Sequence, residues 1–311
     1  MSGLLTDTLI TGLPLVPVYL GVYLVLRIRE DFDLTVEGSF ALGGGVCAVL
    51  IAHGHGPWLA LLAAVVSGVA AGVVTACLNL TLDIPVVLAG LVTSLALFSV
   101  TLRITGQPTV SLVGADTVAT SLFGEAGRGD AQQIAVLAVV VALVLVAFAA
   151  FLMTELGLAL RASGVNAEMV RAQGVSERGL VVLSLALSNG LTGLGAALAV
   201  QTMGYADVNM GVGTFVAGVG AVLLGVLVFR PTGSQVARIV LAVLVGTLLY
   251  RFLLVGALRI GVPAGDLKGI TALTLVIAVA AQRFARIGLT ALTRPTSSTS
   301  ASVQTPEGTP T

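Results

Sequence analysis

Nine stretches of this chain run free of formal charge for long enough to be measured against a lipid bilayer. They are residues 8–26, 38–52, 59–82, 84–102, 131–154, 179–206, 208–229, 239–258 (interrupted by Arg251) and 269–282. A helix rises about 1.5 Å per residue, so roughly 20 apolar residues cross a hydrocarbon core of about 30 Å. The runs are continuously apolar and lack the alternation of a barrel strand. They imply helices, which satisfy their own backbone hydrogen bonds in lipid. Composition points the same way: at 57% hydrophobic and 10% charged residues, with mean hydropathy +1.07, there is too little polar surface to cover a soluble globule. The expected fold is an all-α integral membrane protein of about nine transmembrane helices, with eight to ten allowed. HGHGPW at 53–58 and the Asp83-Ile84-Pro85 step are the short breaks where Gly and Pro end one helix and begin the next.

Charge sets the orientation. Fifteen basic and fifteen acidic residues give a formal net charge of +0, which removes any bulk electrostatic case for nucleic acid. If the polar loop 155–178 is cytoplasmic, the inner side carries Arg27, Arg29, Arg161, Arg171, Arg178, Arg230, Arg238, Arg283, Arg286 and Arg294. The outer side then carries Arg103, Arg128, Arg259 and Lys268, a positive-inside bias of ten against four. The C-terminus is then cytoplasmic, and an odd number of crossings puts the N-terminus outside. Residues 1–7 lack a positive n-region, so the first apolar run is expected to stay in the protein. Residues 104–130 form a long outer loop with apolar patches suited to dipping into the interface. The membrane domain is expected over 1–293, and the Ser/Thr/Pro-rich tail 294–311 to be disordered in the cytoplasm.

The chain also echoes itself. DLTVEGSFALGGG from Asp33 resembles DVNMGVGTFVAGVG from Asp207 once one inserted residue is allowed: an acid, a polar residue two places on, then Gly, Ser or Thr, Phe and a run of glycines. In the topology above the two copies enter the membrane from opposite sides, as an inverted repeat with broken, Gly-rich central helices would. Such paired segments point to a transporter's central pathway, where broken helices expose backbone groups and helix N-termini. Chance similarity between Gly-rich helix starts is the plainer alternative. The run 38–52 supports the first reading, since 15 residues reach only about 22 Å and draw part of VEGSF below the membrane surface. Thr35, Glu37, Ser39, Asp207 and Asn209 become candidates for the translocation path. Asp31 and Asp33 read at least as well as a solvated cluster balancing Arg27 and Arg29. Ser184, Ser188 and Asn189 share one face of run 179–206; interhelical hydrogen bonding is their default role, and Ser188 and Asn189 join the path candidates if they meet solute. Arg251 is expected to pair with Asp207 or Asp266, to snorkel outward, or to receive a carboxylate if it faces inward, with pairing preferred.

The most specific signal is LRASGVNAEMVRAQGVSERGL, residues 160–180. Asn166 is placed to cap a short helix AEMVRA, Glu168 to sit in its first turn and Gly174 to close it left-handed. A helix that short is stable only when something packs on it. RASGVNAEMVRAQGV resembles the coupling loop of permease subunits of ABC importers, in the superfamily that includes the ribose and branched-chain amino acid permeases. DLTVEGSFALGG resembles the superfamily's signature near the second span. With LSNGLTGLGAALAVQTMGYADVNMGVGT it is closer still to an uncharacterised ABC permease subgroup whose relatives are assigned to tryptophan and tyrosine uptake. The resemblance covers nearly all of residues 8–285. It implies that Arg161, Gly164, Asn166, Glu168 and Gly174 contact a cytoplasmic ATPase that carries ATP and Mg. It further implies an extracytoplasmic solute-binding protein, a second permease copy and a small organic solute, with an amino acid as the leading expectation and aromatic ones among the candidates.

The only lysine, Lys268, follows no GxxxxGK[ST] motif, so ATP hydrolysis is expected on another chain, with no cofactor bound here. His53 and His55 flank Gly54 without metal-ligand spacing, and Cys47 and Cys77 read as small core residues. No hydrolase elbow is present. The alternatives are an ion-gradient-driven secondary transporter or channel, which would use Glu37, Asp207 and Arg251 as coupling charges, and a scaffold without transport.

Overall fold

Residues 2–229 and 236–292 are described by the structure, a computed structural model. Residue 293 of the expected membrane domain and the tail 294–311 lie outside the described residues. Each apolar run carries a helix, yet they are not nine equal spans. Among the described residues, six helices are long and apolar enough to cross a membrane: α3 (Thr35–Ala52), α4 (Pro57–Leu82), α5 (Val86–Thr105), α7 (Asp130–Met153), α10 (Glu177–Met203) and α12 (Val236–Arg259). The first run is a pair, α1 (Ser2–Gly12) and α2 (Leu15–Tyr23) with a π-helical continuation Leu24–Arg29, bent by 53° and making a seventh span if taken as one. The other two fall short. Run 208–229 gives residues 208–213 to a turn and keeps only α11 (Thr214–Val228) as helix, and α13 (Leu267–Leu292) counts as a shorter apolar helix over Leu267–Ala280. Among the described residues the structure thus shows six or seven spans and two shorter apolar helices where nine spans are expected.

Small residues bring the helices together. A Cβ on Gly68 would strike the carbonyl of Asn189, one on Gly72 that of Leu185, and one on Gly193 that of Ala64. These pairs fix α4 antiparallel to α10 at backbone contact, the packing available where lipid supplies no hydrophobic drive between helices. Ser39 beside Asn189, Gly43 beside Gly193 and Cys47 beside Ala197 set α3 parallel to α10. Gly21 against Ser188 and Gly195 against Val18 run α2 the other way. At the far side Gly225 meets Ala242 and Gly246 meets Ala221, so α11 and α12 are antiparallel, while Gly3 beside Arg259 and Gly12 beside Leu248 set α1 against α12. Following these pairs around the bundle, α3 and α11 run in opposite senses.

The centre is α2, α3 and α10, with Val16, Leu20, Leu24 and Leu198 buried among Phe40, Tyr19 and Tyr250. α4, α5 and α7 lie outside it; α5 and α7 are mostly exposed, with Leu91, Leu95, Leu143 and Val146 facing outward. Cys47 is buried as expected; Cys77 is exposed on α4, so that expectation holds for one of the two.

Residues 104–130 do not supply a further span. They form β1 (Thr109–Ser111), antiparallel to β2 (Tyr205–Asp207), then α6 (Val118–Phe123) and a 3-10 turn. Thr117 and Thr120 make a capping box at α6, and the Val118 amide donates to Gln201 Oε1 at 2.8 Å, fastening the loop to the end of α10. His53 and His55 lie at this same end, with His53 Nδ1 2.7 Å from the Val49 carbonyl.

Candidate functional site

The two glycine-rich copies meet inside the bundle. The chain leaves β2, turns through 208–213 and starts α11 at Gly213, whose φ of +87° requires a residue without a Cβ. The Gly213 amide donates to Glu37 Oε1 at 3.0 Å. Gly211 lies so close to the Glu37 carbonyl that a side chain there would collide with it. A carboxylate from one helix start thus caps the start of the other, where the α11 dipole favours negative charge by about 0.3–1 kcal/mol, and up to about 2 when partly buried. Glu37 is half-buried and Thr35 and Ser39 fully buried.

Those last two do not line open space. Thr35 Oγ1 lies 2.7 Å from Thr75 Oγ1 of α4, and Ser39 Oγ donates to Asn189 Oδ1 at 2.7 Å. Asn189 Nδ2 donates to Asp33 Oδ2 at 2.7 Å, and Asp33 Oδ1 accepts from the Thr35 amide at 2.9 Å. Asn189 is 0% and Asp33 1% exposed, so Asp33 is not the solvated acid its neighbours Arg27 and Arg29 suggest. Asp31 does fit that description, with a contact of 3.3 Å to Arg29. Ser188 is buried against Gly21, with its Oγ unpartnered. In this conformation Thr35, Ser39 and Asn189 bond helices to one another, as the default role of such residues predicts.

Asp207 and Asn209 lie apart from the buried network. Asp207 ends β2, its Oδ2 accepting from Thr109 Oγ1 at 2.7 Å and its Oδ1 from the Asn209 amide at 2.8 Å. The Thr109 bond, aided by the Asn209 amide, holds its carboxyl below the usual carboxylate range. Asn209 is exposed.

The open space lies beside Glu37 and was missed from sequence. A cavity of about 400 Å³ sits between α2, the α3 face at Phe40, the start of α11, and α12 and α13. Tyr19 and Tyr250 meet edge to face at 6.3 Å, and Tyr250 Oη lies 2.8 Å from Thr271 Oγ1. Arg251 and Lys268 also line it. The expected pairing of Arg251 with Asp207 or Asp266 is not found: among the described residues Arg251 makes no ion pair, and Asp207 is engaged at the sheet with Thr109. Its Nε is buried without a partner. The signal available in the sequence was the placement of Arg251 beside Tyr250 within an apolar run; the fold adds Lys268 and Tyr19.

At the other end, α8 (Glu155–Val165) and α9 (Ala167–Ala172) build the polar loop. Asn166 caps α9 by accepting from the Met169 amide at 2.9 Å, and Gly174 closes it at φ +82°. Val170, 2% exposed, anchors α9 in the core; Arg171 pairs with Glu177 at 2.9 Å. The five loop residues divide. Asn166, Glu168 and Gly174 are exposed, whereas Gly164 lies against the Ile28 carbonyl, and Arg161 is half-buried.

Comparison with known proteins agrees with this architecture. The family described as "Branched-chain amino acid transport system / permease component" matches residues 4–286. A "Tyrosine transport system permease protein" of Clostridioides difficile (strain R20291) is 30% identical over 279 residues, 89% of this chain and 90% of that protein. An uncharacterised protein of Rickettsia prowazekii (strain Madrid E) is 30% identical over 279 residues, 89% of this chain and 97% of its own length. No solved structure matches significantly. With several apolar spans and a family match over nearly its whole length, the chain is a multi-pass membrane protein belonging to the branched-chain amino acid transport system permease family.

Proposed function

We propose that the chain is the transmembrane permease subunit of an ATP-binding cassette importer for an amino acid, with aromatic amino acids first. The solute class rests on the 30% identity to the tyrosine transport permease. In this reading 1–293 is the membrane domain, 294–311 a cytoplasmic tail, and loop 155–178 the handle for a cytoplasmic ATPase that holds ATP and Mg. A solute-binding protein docks outside, and a second permease copy completes the pore. Catalysis of hydrolysis belongs to the ATPase chain.

The single observation that carries the reading is α9: a capped six-residue helix tethered by Val170 and exposing Asn166, Glu168 and Met169 at one end of the bundle. A helix this short has little stability of its own and suits a rigid contact offered to a partner. Closure of the ATPase pair would push α9 and, through Gly164 on Ile28, the end of the first span. The opposed helix starts joined at Glu37 and Gly213 would then shift between outward and inward openings, and Thr35, Ser39, Ser188 and Asn189 would meet solute only if those helix contacts part. Asp207 and Asn209 would stand at the outer entrance.

The test is Glu168→Arg together with Gly174→Pro. The variant is expected to insert normally into the membrane but to lose copurification with the ATPase. Unchanged association would remove α9 from the contact.

A further inference from the structure

The cavity beside Glu37 holds two cations and, among the described residues, no carboxylate lines it. Arg251 enters from α12 one position after Tyr250, with its Nε buried and unpartnered; a guanidinium in that state retains a donor with nothing to bond. Lys268 stands at the start of α13, exposed toward the opening. The nearby acid, Glu37, is spent on the Gly213 amide. Tyr19, Phe40 and Met210 line the same cavity, an aromatic and thioether surface that takes an apolar side chain without demanding one shape.

We propose that this cavity is a solute site in which Arg251, helped by Lys268, binds the carboxylate of an amino acid whose apolar or aromatic side chain lies along Tyr19, Phe40 and Met210. The inference rests on the amino acid importer reading and adds the place and chemistry of recognition. Arg251 is the specificity-determining residue because its planar fork meets both carboxylate oxygens, which the Lys268 point charge does not. The Tyr19–Tyr250 contact and the Tyr250–Thr271 bond fix the aromatic wall and so the distance between carboxylate and ring subsites.

The test is equilibrium binding of tyrosine and of tyramine, the same ring and amine without the carboxylate, to the full-length chain in phosphatidylcholine nanodiscs. Tyrosine is expected to bind at least about tenfold more tightly than tyramine. Arg251→Gln should remove most of that preference by weakening tyrosine binding without weakening tyramine binding, and Arg251→Lys should restore part of it. Lys268→Gln, at the exposed opening, should reduce the preference less and guards against a folding defect at Arg251. No saturable tyrosine binding, equal binding of the two ligands, or a preference undiminished by Arg251→Gln would each overturn the proposal. In nanodiscs that also contain phosphatidylglycerol, binding of that lipid to the cavity with no saturable tyrosine binding would overturn it in favour of a lipid headgroup. ATPase copurification with the unaltered chain is scored separately and needs no solute. Tyrosine binding through Arg251 without an ATPase partner would keep the cavity and sink the importer; the reverse result would do the opposite.

Discussion

Asn189 is the residue on which the centre of the bundle turns. Its amide donates to Asp33 and to the Leu185 carbonyl, and its oxygen accepts from Ser39, so one side chain on α10 joins α3 and the segment before it. Asp33 thereby has a donor on each oxygen although it is buried without a cation. Asn189→Leu keeps the branched shape and removes all three bonds, leaving a buried acid half-satisfied, at a cost of about 1–3 kcal/mol or more. The variant's thermal unfolding midpoint in detergent should fall clearly, and Asp33→Leu combined with it should recover part of the loss, since removing both partners costs less than orphaning one. A single variant as stable as the parent protein would show that the network carries no stability. None of this was legible in sequence: Asp33 sits near Arg27 and Arg29 and reads as solvated, and its partner lies 156 residues away. Asn166 was legible because a cap and the amide it serves are three residues apart.

Elements show the same division between local and distant causes. The helices follow from apolar runs and the breaks from Gly, Pro and Asp, but the number of true spans does not, because 208–213 is as apolar as a helix and is drawn out of helical form by Gly213 and by its contact with α3. The glycines were visible as a class; only the fold separates those that open a turn from those that let two helices touch. Gly72 belongs to the second kind, facing the Leu185 carbonyl, while Gly256 in α12 has open space where a Cβ would stand. Gly72→Val would push α4 off α10 against a backbone atom that no rotamer change can move, and the folded yield in membranes should drop severalfold. Gly256→Ala should leave the yield unchanged or add up to about 0.5–1 kcal/mol of helix stability. Equal yields from the two would mean that the α4–α10 contact is not a limit on assembly.

The whole molecule has two dissimilar ends. β1, β2 and α6 cover one, joined by the Leu112 amide to the Gly204 carbonyl, and α8 and α9 cover the other, beside Ile28. α10, with 27 residues, separates them by about 40 Å. The positive-inside bias, ten basic residues against four if loop 155–178 is cytoplasmic, predicts that the α8–α9 end faces the cytoplasm. On the proposed importer reading, that orientation would set the ATPase and the solute-binding protein on opposite faces. Val113 at the sheet end is 90% exposed and Val165 at the α8 end 89%, so each tolerates a reporter without disturbing packing. In a background of Cys47→Ala and Cys77→Ser, Val113→Cys should react with a membrane-impermeant maleimide on intact cells, and Val165→Cys only after the membrane is opened. The reverse pattern would turn the bundle over, put α9 out of reach of any cytoplasmic ATPase, and leave Arg251 and Lys268 opening toward the cell interior, where the same cavity would have to load its anion from the other side.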